Sequence, residues 1–71
     1  MALSFNDAEQ EAAFSAHLDA LQGAELAHNW KGASMAAADA AMLLLRAPTT
    51  GANEAEHQRL RELWIRYRGM L

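Results

Sequence analysis

Two Glu-x-x-His segments offer the sequence's clearest chemistry: Glu25-Leu26-Ala27-His28 and Glu54-Ala55-Glu56-His57. Residues i and i+3 share a face of an α-helix, so carboxylate and imidazole could chelate one metal ion. Di-metal carboxylate centres in helical bundles use this spacing on two helices, with one more Glu from each of two others. Glu25, His28, Glu54 and His57 are therefore the metal-ligand candidates, and Glu9, Glu11 or His17 could complete the set. Such a site needs four long helices, so this short chain would have to oligomerise to build it. A plainer account also covers these residues. Glu54 suits the first turn of a helix, where an acid complements the dipole, and surface histidines need no ligand. The expectation is no metal and no cofactor.

Other catalytic chemistry finds little footing. Ser4, Ser15 and Ser34 lie outside any G-x-S-x-G elbow. There is no glycine-rich phosphate loop and no cysteine. A chain of 71 residues also struggles to enclose a ligand pocket of about 300–1,000 Å³. Neither an enzyme nor a small-molecule substrate is expected. The segment Arg59-Leu60-Arg61-Glu62-Leu63-Trp64-Ile65-Arg66-Tyr67-Arg68 interleaves arginines with aromatics. That mixture is enriched at protein interfaces and can also bind nucleic acid by phosphate contact and stacking.

The elements that would carry these residues are helices. Alanine supplies 17 of the 71 residues and leucine 10, with no valine and a single isoleucine. Strands favour β-branched residues, whereas alanine and leucine are strong helix formers. Ser4 with Asp7, or Asn6 with Glu9, has capping-box spacing. Phe14, Leu18 and Leu21 then form one apolar stripe. Two breaks are possible, at Gln22-Gly23 and at Asn29-Trp30-Lys31-Gly32. The stripe Leu26, Trp30, Ala33, Ala37, Ala41, Leu44 runs through the second, which favours a turn near Gly23. Pro48 and Gly51 mark a loop, and Asn53 reads as the next N-cap with Glu56 three residues on. The expected fold is all-α, with three helices at about 5–22, 24–46 and 54–69 in one domain spanning 1–71. Phe14, Leu18, Leu21, Trp30, Leu44, Leu60, Trp64 and Tyr67 are the expected core.

The sequence Trp30-Lys31-Gly32 resembles the WxG hairpin proteins exported by type VII secretion. The resemblance covers about 20 residues, from Leu26 to Leu45, and implies a Trp-Gly turn between antiparallel helices. The chain departs from that pattern in being shorter, with a second helix ending at Pro48. Trp30, Ala33, Ala37 and Ala40 are also similar in spacing to the second helix of a tetratricopeptide-type hairpin, without a second copy.

Net charge is −3, with −5 in residues 1–30 and +2 in residues 31–71. The overall sign disfavours general nucleic-acid binding. Met1 to Asn6 has no basic n-region, and the longest apolar run, Ala40–Leu45, is too short to span a membrane. The lack of cysteine fits a cytoplasmic protein. The alanine excess fits a high-GC bacterial or phage gene. A core this small is thin, so a homo-oligomer, most simply a dimer, or a partner protein is expected to complete it. The function expected is that of a non-enzymatic interaction protein, such as an adaptor, small chaperone or inhibitor, acting by helix-face docking. Met35, Met42 and Leu43 are candidates for one contact face, and Arg61, Ile65 and Arg68 for another.

Overall fold

A computed structural model describes residues 2–71. It contains three helices, α1 (Ala8–Leu26), α2 (Trp30–Leu44) and α3 (Gly51–Arg68), and no strand among the described residues. The all-α expectation holds.

The first helix starts at a cap later than either expected one. Asp7 is the N-cap, and its Oδ1 accepts from the backbone N–H of Gln10 at 2.8 Å. Gln10 Oε1 accepts in turn from the N–H of Asn6 at 2.7 Å. This is a capping box displaced by one residue on its return arm. Ser4 and Asn6 have other partners. Asn6 Nδ2 donates to the carbonyl of Arg46 at 2.8 Å, and Ser4 is bound to Asn53.

The expected turn at Gly23 is overturned, because α1 runs through Gly23 to Leu26. The chain reverses at Ala27-His28-Asn29. His28 N–H donates to the carbonyl of Glu25 at 3.1 Å, and Asn29 N–H to that of Ala24 at 2.8 Å. Together these bonds make a Schellman cap. Its left-handed position is filled by His28, at φ 55°, instead of by a glycine. Asn29 then caps α2, accepting from Gly32 N–H at 3.1 Å. A Cβ on Gly32 would lie 2.7 Å from the Asn29 amide nitrogen, so the missing side chain leaves room for the cap. The W-x-G residues thus form the first turn of α2, directly after the reversal. Leu26, placed by periodicity on the α2 stripe, is exposed.

At its far end α2 tightens into i→i−3 bonds from Leu45, Arg46 and Ala47 before Pro48. The third helix also starts earlier than expected. Thr50 is its N-cap, with Oγ1 accepting from Asn53 N–H at 3.1 Å. Asn53 is therefore inside the helix and buried.

Helix α2 packs against both α1 and α3. Its alanines allow this, because Ala33, Ala36, Ala37, Ala40 and Ala41 are all buried and permit close backbone approach. Phe14 and Leu21 from α1, Leu43 and Leu44 from α2, and Leu60 from α3 fill the core. Leu18, Trp30, Trp64 and Tyr67 pack against it half-buried.

Candidate interaction face

Two contacts fix the register between α2 and α3. Ser34 Oγ donates to the carbonyl of Trp64 at 3.4 Å, and His57 Nδ1 lies 2.8 Å from the carbonyl oxygen of Ala41. A carbonyl can only accept, so His57 Nδ1 is the donor in this contact. Ser34 and Ala41 are seven residues apart, as are His57 and Trp64, so each pair lies along one line of its helix. The two lines face each other in antiparallel helices.

Each helix turns 100° per residue. Met35 and Met42 follow the α2 contact line by one residue and lie on one flank of it. Ala33, Ala36, Ala40 and Leu43 lie on the other flank, buried on the side that α1 covers. On α3, Ile65 follows Trp64 by one residue, and Arg61 and Arg68 fall between the contact line and Ile65. Leu63 and Tyr67 lie on the opposite flank, where the Tyr67 hydroxyl donates to the Glu25 carboxylate on α1. In antiparallel right-handed helices, equal forward rotation from facing lines leads to the same side. Met35, Met42, Arg61, Ile65 and Arg68 therefore share one face, on the side of the α2–α3 pair away from α1. The sequence nominated them as two separate faces.

The apolar side chains of this face are uncovered among the described residues. Met35 is 59% exposed, Met42 62%, Leu45 70% and Ile65 56%. Leu43, the remaining candidate, is only 4% exposed and belongs to the core, so it cannot contribute to a docking surface. Leu45 takes its place, at the i+3 position from Met42. At the loop end the face opens into a groove of about 320 Å³, whose walls include Leu45, Pro48, Glu54, His57 and Gln58.

The metal-ligand candidates are not brought together. Glu25 is engaged by Tyr67 at the end of the molecule that holds the α1–α2 reversal. His28 lies beyond the end of α1, and its ring stacks on Trp30 with centroids 5.4 Å apart. Glu54 and His57 are near the start of α3, about 15–20 Å along the helix from Tyr67 at 1.5 Å per residue. Among the described residues no three His, Asp or Glu side chains are grouped to hold a metal ion.

Two side-chain pairs away from the exposed face carry shifted groups. The bond from Arg59 holds the Glu56 carboxyl below its ordinary range against the opposing effect of burial. The same bond raises the Arg59 guanidinium, and the pair is bidentate at 2.6 and 2.9 Å. The bond to Glu25, with some burial, pushes the Tyr67 hydroxyl up. Among the described residues Glu54, Arg61 and Arg68 enter no ion pair.

No helix among the described residues is long and apolar enough to cross a membrane. No protein-family model, curated protein or solved structure matches the chain.

Proposed function

We propose that this chain is a non-enzymatic interaction protein that works by docking its α2–α3 face onto another protein surface. The observation that carries the reading is the convergence of Met35, Met42, Leu45 and Ile65 on one exposed side, flanked by Arg61 and Arg68. Burying one such apolar side chain contributes about 1.5–3 kcal/mol. Methionine adapts to irregular partner surfaces, and arginine supplies directional contacts at the rim. An unpaired cluster of this kind on a small protein marks a contact site. The cysteine-free composition suits a reducing compartment, and the proposal is of a cytoplasmic protein.

The test is photo-crosslinking in cells that make the protein. With p-benzoyl-phenylalanine in place of Met42 or Ile65, a discrete protein adduct is expected. The same probe in place of Asp19, on the exposed side of α1, should give none. Equal labelling from all three positions, or none from any, rejects the reading.

A further inference from the structure

We infer that the occupant of the α2–α3 face is a second copy of this chain, laid antiparallel across it about a two-fold axis at the level of Ala38. The inference rests on the docking reading and adds the identity of the partner. Its basis is that the methionines of α2 and the Glu54–Arg68 pair of α3 match their own copies at one register. The contacts Ser34–Trp64 and Ala41–His57 set residue 38 of α2 level with residue 60 of α3. On α2, the midpoint between Met35 and Met42 falls next to Ala38. On α3, the midpoint between Glu54 and Arg68 falls at residue 61. At 1.5 Å per residue these two centres agree to about 2 Å, so one axis serves both helices.

A two-fold there lays α2 on the second copy's α2 and α3 on its α3. Met35 then meets the second copy's Met42. Ala38, the smallest side chain on the exposed flank, lies at the crossing point, where backbones come closest. Arg68 meets Glu54, each without an ion-pair partner among the described residues of its own chain. Ile65 comes over the groove between Leu45 and His57. Every favourable contact occurs twice, as an isologous interface requires. Three like-charge encounters oppose the arrangement: Arg61 and Asp39 each fall nearest the axis beside their own copies, and Lys31 meets Arg46.

Sedimentation equilibrium at micromolar to tens of micromolar concentration tests this. The expected mass is twice the 7.8 kDa of one chain. Met42→Lys should leave the helical circular dichroism unchanged and give single chains. Arg68→Glu and Glu54→Arg should each weaken association by about tenfold, because like charges then face each other at two symmetric places. The double variant Arg68→Glu/Glu54→Arg should restore it, and Arg61→Gln should tighten it. A dimer indifferent to Met42→Lys, or a double variant no better than the singles, overturns the inference. Single chains throughout also overturn it. In that case a Met42 crosslink of some other mass in cells leaves the docking reading standing, and the absence of any crosslink removes both.

Discussion

Asn53 and Ser4 exchange two hydrogen bonds across 49 residues of sequence. Ser4 N–H donates to Asn53 Oδ1 at 3.0 Å, and Asn53 Nδ2 donates to the Ser4 carbonyl at 2.8 Å. The second amide hydrogen of Asn53 goes to the Pro48 carbonyl at 2.8 Å. One buried side chain, 2% exposed, therefore ties three segments together: the N-terminal segment, the α2–α3 loop and the first turn of α3. It also holds Phe5 where its ring packs on Phe14, with centroids 5.3 Å apart.

Replacing Asn53 with Ala should be among the most damaging single changes outside the apolar core. It strands one N–H and two carbonyl groups in a half-buried site, and each lost partner of this kind costs about 1–3 kcal/mol. Part of that is recovered by water reaching Ser4. A net loss of about 2–3 kcal/mol is expected, a large share of what so small a domain has. The urea midpoint should fall steeply. Asn53→Asp should be as damaging, since a carboxylate turns two donors into acceptors facing carbonyls. A midpoint unchanged by either substitution would contradict the clamp.

Much of the architecture was legible from local signals. Pro48 ends α2 where expected, and the Phe14–Leu18–Leu21 stripe faces the core. The alanines of residues 33–41 mark the element that both neighbours approach. What misled was local chemistry with two possible uses. Thr50 and Asn53 are both good N-caps three residues apart, and the choice is made by Ser4, far off in sequence. Gly23 advertised a C-cap, but the left-handed residue is His28. The residues of the exposed face were identifiable one by one as contact candidates: Met35, Met42, Arg61, Ile65 and Arg68. Their convergence was not, because it depends on the register set by Ser34–Trp64 and Ala41–His57. Leu43 failed because its side of α2 is decided by where α1 lies.

The location of the reversal makes a prediction of sign. Gly23 lies inside α1, and a Cβ there meets nothing within 4 Å. Gly23→Ala should stabilise the protein by about 0.5–1 kcal/mol through the lost backbone entropy of glycine. A turn at Gly23 with a left-handed residue would give destabilisation instead. His28→Gly relieves a left-handed non-glycine residue, worth about 1 kcal/mol, and gives up the stack on Trp30. Its thermal midpoint should move less than that of Gly23→Ala.

The Tyr67–Glu25 bond predicts an alkaline transition. A neutral Tyr67 is favoured in the fold, so its proton is held above the ordinary value of 10.0. A group with a raised folded pKa contributes stability that is whole below the unfolded value and is lost as pH climbs through the folded one. Stability should thus decline above about pH 10. Trp30 fluorescence should change with it, since Trp30 stacks on Tyr67 at 5.4 Å. Ultraviolet titration should give a higher tyrosine midpoint for the protein than for free tyrosine. Glu25→Gln should bring that midpoint down by removing the charge, and an unaltered midpoint would refute the bond.

The alanine spine predicts that size, more than hydrophobicity, is what α2 cannot tolerate. Ala37 is fully buried, at 0% exposure, on the helix that both neighbours pack against. Ala37→Leu adds apolar volume where no space exists, and overpacking of this kind costs about 1–3 kcal/mol. The helices must separate, which also loosens the Ser34–Trp64 and Ala41–His57 contacts that align the exposed α2–α3 face. Ala12→Leu adds the same atoms on the exposed side of α1 and should change stability by no more than about 0.5 kcal/mol. Comparing the two urea midpoints isolates packing from composition. If Ala37→Leu were as stable as the parent, α2 would not be held between α1 and α3 at backbone distance, and the shared face would lose its geometric basis.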